Sequence, residues 1–109
     1  GESAPFPAMS VLEFPWGAYH SADVQFLLNR IGPPAPKFTA DEVKFSAAMI
    51  SYWTHFAKRG NPNSTSTPHW ARYNSKIDER QSFFPPTPLV ESGSDFETSH
   101  MCSAYWDKL

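Results

Sequence analysis

Gly17-Ala18-Tyr19-His20-Ser21-Ala22-Asp23-Val24-Gln25-Phe26-Leu27-Leu28 sets a histidine just ahead of a short apolar run. A histidine can take a proton from a serine hydroxyl near neutral pH when the nucleophile lies within hydrogen-bond reach and an acid orients the ring. The 109 residues offer no convincing partner of either kind. Gly1-Glu2-Ser3-Ala4-Pro5 begins like the Gly-x-Ser-x-Gly turn that exposes a nucleophilic serine. Its fifth residue is proline and no apolar helical pattern follows, so Ser3 reads as a terminal residue and not a nucleophile. His20 is thus a candidate base whose partners are expected elsewhere.

Composition limits what such a chain can be. Hydrophobic residues make up 40% and aromatics 16%, too much for a disordered segment. Eleven prolines, roughly twice the usual ~5%, predict few regular elements separated by long stiff loops. The net charge is −2 and the basic residues form no run beyond Lys58-Arg59, which argues against a nucleic-acid or anionic-membrane partner. Cys102 is the only cysteine, so an internal disulfide framework is excluded. No stretch approaches the ~20 apolar residues of a membrane span. Asn63-Ser64-Thr65 matches the glycosylation acceptor pattern, a match that is common by chance. His55, His69 and His100 have no ligand-like spacing, so no metal or other cofactor is expected.

The clearest element is a helix over 40–59, inside a 39–60 unit whose ends are both written in the sequence. Thr39 with Glu42 three positions on forms a capping box, Lys58 and Arg59 suit the negative end of the helix dipole, and Gly60 with Pro62 stops it. Val43, Ala47, Ile50, Trp53 and Ala57 recur at helical spacing, widened by Met49 and Phe56, and predict the buried face. A second helix is predicted over 94–108, capped by Ser94 with Glu97, with Cys102, Trp106 and Leu109 on one side. A shorter one follows His20, carries Val24, Leu27 and Leu28, and ends before Gly32-Pro33-Pro34. Residues 1–16 read as loop and 17–32 as the histidine loop with its short helix. Trp70-Ala71-Arg72-Tyr73 and Gln81-Ser82-Phe83-Phe84 predict a hairpin over 70–84, and 94–109 closes the chain. Three helices and one hairpin leave wide apolar faces with no sheet to pack on.

The segment from Gly17 to Leu28 resembles the catalytic-histidine segment of the type-B carboxylesterases, the cholinesterase-like branch of the α/β-hydrolases. Tyr52-Trp53-Thr54-His55-Phe56-Ala57-Lys58-Arg59-Gly60-Asn61-Pro62-Asn63, then Trp70 and Tyr73, resemble that family's last long helix and the turn and strand after it. His100-Met101-Cys102-Ser103-Ala104-Tyr105-Trp106-Asp107 is similar to its closing segment. In that fold the triad runs Ser, then Asp or Glu, then His along the chain. The resemblance therefore implies the C-terminal portion of an α/β-hydrolase, with His20 as base. The serine elbow, the acid, the oxyanion loop and the central sheet would lie upstream of residue 1. Family members usually carry glycine after the histidine; here Ser21 stands there, implying an altered loop backbone or a helix cap. Asp23 stands where an acid is usual and is expected to support the histidine loop or the helix start.

The function so implied is hydrolysis of carboxylic esters through an acyl-enzyme. The partners are the upstream portion of the same enzyme and a small-molecule ester, with no nucleic acid and no membrane span. The alternatives are a catalytically silent cholinesterase-like adhesion domain, which an upstream serine would exclude, and an independent small binding module.

Overall fold

The computed structural model describes residues 19–28 and 37–108. The expected 1–16 loop, Ser3, the Gly32-Pro33-Pro34 stop and Leu109 lie outside them. Helix α1 spans Ala22–Leu28, α2 Ala40–Arg59 and α3 Gly93–Ser99; strands β1, Glu79–Ser82, and β2, Leu89–Ser92, pair antiparallel. A 3₁₀ turn follows at Trp106–Lys108.

Both ends of α2 form as expected. Thr39 Oγ1 accepts from the Glu42 N–H at 3.2 Å, and the Glu42 carboxylate accepts from the Thr39 N–H at 2.7 Å. Gly60 adopts the left-handed conformation at φ 68° and donates its N–H to the Phe56 carbonyl at 2.8 Å.

The face that α2 buries is only in part the predicted one, Met49 being the expected residue that is buried. Phe45, Ser46, Met49 and Tyr52 are buried, whereas Val43 is 52% exposed, Trp53 42% and Phe56 60%, with Ala47 and Ala57 also exposed. Phe45 and Val43 are two residues apart, a step of about 200° around the axis, so α2 carries apolar stripes on opposite sides. The spacing points to the Val43 stripe, but which side is buried depends on where a neighbour packs. Here α1 covers the Phe45 side. The Phe26 ring stacks on Phe38 at 5.0 Å and meets Phe45 edge-on at 5.0 Å. The buried Ser46 hydroxyl donates to the Phe26 carbonyl, tying the two helices together. On α1 the buried residues are Ala22 and Phe26, while Val24 and Leu28 of the expected face are exposed.

The hairpin pairs downstream of its expected position. β1 overlaps the predicted second strand, but its partner is β2 and not 70–73, with Arg80 opposite Glu91 and Gln81 opposite Val90. The reason is local. The Asn63 side chain accepts the Trp70 N–H at 2.7 Å and donates to the Trp70 carbonyl at 2.9 Å, so Trp70 needs no strand partner. The chain then turns at Asn74, whose carbonyl accepts from the Ile77 and Asp78 N–H groups.

The C-terminal helix is also shorter than expected. Its N-cap is Ser92, which accepts from the Asp95 N–H at 3.1 Å, and not Ser94. It stops at Ser99. The Cys102 N–H reaches the Glu97 carbonyl at 3.0 Å and the Met101 N–H reaches the Thr98 carbonyl at 3.3 Å, with Met101 left-handed at φ 55°. That is a Schellman stop with methionine where glycine usually signals it. Arg80 lies 4.4 Å over the Phe96 ring and fixes α3 on the hairpin. At Gly93 an added Cβ would collide with the Asp78 carboxylate, so glycine admits the Asp78 side chain there.

Candidate functional site

His20 occupies an exposed turn immediately before α1. The Ala22 N–H donates to the Tyr19 carbonyl at 3.1 Å and the Val24 N–H to the Ser21 carbonyl at 3.2 Å, so the residues on either side of His20 are both tied into the helix start. Ser21 is left-handed at φ 66°. This is the backbone that glycine adopts without strain, so the altered loop residue retains a glycine-like conformation. Its side chain makes no hydrogen bond among the described residues, so the expected cap is not formed. Asp23 lies exposed in the first turn of α1, where a carboxylate favours the positive end of the helix dipole. No ion pair among the described residues joins it to His20. The imidazole of His20 is therefore placed by its backbone, with no hydrogen bond of its own among the described residues.

The support beneath this turn was not legible as a motif. Gln25 Nε2 donates to the Tyr19 hydroxyl at 2.8 Å, spanning the turn from one side to the other. The contact of Ser46 with Phe26 then anchors α1 on α2. A polar residue inside an apolar stripe was the available signal for Ser46; nothing local paired Tyr19 with Gln25.

The other histidines are held in structural contacts or lie at the surface. His55 Nδ1 donates to the Ser51 carbonyl one turn earlier at 2.8 Å. His100 stacks on Phe96 at 3.9 Å and lies 3.0 Å from the Phe96 carbonyl through Nδ1. His69 is exposed. Among the described residues no group of His, Cys, Asp or Glu could hold a metal ion. Cys102 is a half-buried free thiol. No helix among the described residues is long and apolar enough to cross a membrane.

An open groove of about 930 Å³ lies at the other end of α2, lined by Tyr52, Trp53, Phe56, Trp70 and Arg72 among others. His20 is not among its lining residues. Ser46, beside α1, and Phe56, in the groove, are ten residues apart on α2, a rise of about 15 Å. Tyr52 is fully buried and donates its hydroxyl to the Pro68 carbonyl at 2.6 Å; burial pushes its phenol above the ordinary value. Asn63 closes this end. Its amide nitrogen donates to Asn61 Oδ1 at 3.0 Å as well as to Trp70, so the group a glycan would attach to is engaged twice.

Residues 3–88 match the model of a family described as the carboxylesterase family. Carboxylesterase 3 of Pongo abelii is 32% identical over 73 residues, which are 67% of this chain and 12% of that protein. Cocaine esterase of Homo sapiens is 42% identical over 60 residues, 54% of this chain and 11% of that protein. Bile salt-activated lipase of Rattus norvegicus is 36% identical over 63 residues, 55% of this chain and 10% of that protein. The matched part thus spans about a tenth of the length of these curated relatives. The family match takes in the His20 segment and α2 and stops short of the closing segment from His100 to Asp107.

Proposed function

Because this chain belongs to the carboxylesterase family, we propose that it is the C-terminal, histidine-bearing portion of a serine carboxylesterase of the α/β-hydrolase fold. In the complete enzyme an upstream serine and acid join His20. His20 takes the serine proton as the serine oxygen attacks the ester carbonyl, and passes it to the leaving alcohol as the acyl-enzyme forms. It then takes a proton from the water that attacks the acyl group and returns one to the serine as the acid leaves. Asp23, in the first turn of α1, favours the helix start beneath the ring, and Ser21 keeps the left-handed backbone there.

The observation that carries this reading is the family match across residues 3–88, which includes His20 in its turn ahead of α1. Two structural features support it. The imidazole is exposed and without an internal hydrogen-bond partner among the described residues, as a base awaiting residues from elsewhere would be. The two apolar sides of α2 are those of a helix packed between layers, and here one of them is uncovered.

In the complete enzyme, His20→Ala lowers kcat by roughly 10⁴-fold or more with folding intact, the loss expected when a triad base is removed. His55→Ala, His69→Ala and His100→Ala each cost less than about tenfold, because none of them touches the reacting atoms. Steady-state hydrolysis of a chromogenic ester checks both statements. Near-normal turnover by His20→Ala would remove the base assignment.

A further inference from the structure

We propose that Tyr19 and Gln25 are positioning residues that brace the turn carrying His20 and so fix the aim of its ring. The proposal rests on the reading of His20 as the base. Gln25 lies one turn into α1, and its amide donates to the Tyr19 hydroxyl at 2.8 Å, joining the residue before His20 to the first turn of the helix after it. Tyr19 is consequently held at two points, by its carbonyl to the Ala22 N–H and by its hydroxyl to Gln25. His20 has no side-chain hydrogen bond among the described residues, so the backbone beneath it sets the position from which the ring is presented.

That backbone needs help. α1 has only 7 residues, well below the ~12–15 at which an isolated helix holds together in water, and its first turn is where fraying begins. Ser21 adds left-handed strain at the same place. The contact of Ser46 with Phe26 pins the later part of α1, and the brace adds to the buried Ala22 and the two backbone hydrogen bonds that hold the His20 end. Positioning tolerances in catalysis are tight: a misplacement of ~1 Å can cost about 10²-fold in rate. Both partners are half-buried, so water competes only in part for their hydrogen bond.

The test uses the complete enzyme and a chromogenic ester at saturation. Gln25→Leu and Tyr19→Phe are each expected to lower kcat by about tenfold, with KM within about twofold and the thermal midpoint close to that of the parent. The double variant loses no more than either single one, since both remove one bond. Gln25→Glu recovers most of the rate, because the Tyr19 hydroxyl can turn and donate to the carboxylate. Tyr19→Phe removes a single oxygen and keeps the test valid if Gln25→Leu folds poorly. Unchanged kcat in Tyr19→Phe, beside a His20→Ala enzyme that is inactive, overturns the brace and leaves the base in place. Independent, multiplying losses in the double variant also overturn it. Turnover retained in His20→Ala removes the base assignment, and the brace with it.

Discussion

Ser21 shows how much the backbone at one residue constrains this loop. Its φ of 66° lies where a side chain crowds the following carbonyl, and its hydroxyl makes no compensating hydrogen bond among the described residues. Ser21→Gly is therefore expected to stabilise the complete protein by about 0.5–1 kcal/mol, read as a higher denaturant midpoint at unchanged slope. A lower midpoint would show that the serine contributes more than its strain costs. The sequence marked this position as unusual, because a serine stands where the resembling family carries glycine. It could not give the backbone conformation there, and the dihedral found is one that glycine adopts without strain.

Among the elements, the helix ends divide by the chemistry that terminates them. Thr39, Glu42 and Gly60 act through caps made within a few residues, so α2 was legible to its boundaries. α3 ends instead at Met101, a residue whose type gives no hint of the left-handed conformation it adopts. Met101→Gly should stabilise the stop by about 1 kcal/mol, and Met101→Val should destabilise it, because branching at Cβ worsens the crowding. Chemical denaturation of the three proteins ranks them. A gain in the valine variant would mean that the helix runs on through His100 in solution. The hairpin was misplaced for a related reason. Trp70 to Tyr73 has the aromatic content of a strand, yet the Asn63 side chain meets both backbone groups of Trp70 and leaves pairing to 89–92.

For the whole molecule, the opposite stripes of α2 matter most. α1, Phe38 and Phe83 cover the Phe45 side, while Val43 on the opposite side is more than half exposed; Phe56, at the groove end of the Phe45 side, and Trp106 at 63% are exposed as well. At about 25 cal/mol per Å² of apolar area, leaving several such side chains wet forgoes several kcal/mol, comparable to the stability of a small domain. The 109-residue chain by itself is expected to bind hydrophobic dyes, self-associate and unfold without a sharp transition; the complete enzyme is expected to do none of these. A monodisperse monomer with a cooperative thermal transition and no dye binding would show that these residues complete their own core, and would favour a binding module. The sequence by itself determined what depends on neighbours along the chain: the capped helix over 40–59, the existence of two further helices and a hairpin, and a histidine segment specific enough to name a family. Only the tertiary structure decided which side of α2 is covered, which strand β1 pairs with, and that the Tyr19 hydroxyl meets the Gln25 amide. Each of those depends on which groups meet in space to bury apolar area or satisfy a backbone hydrogen bond, and many such meetings are compatible with the same local pattern.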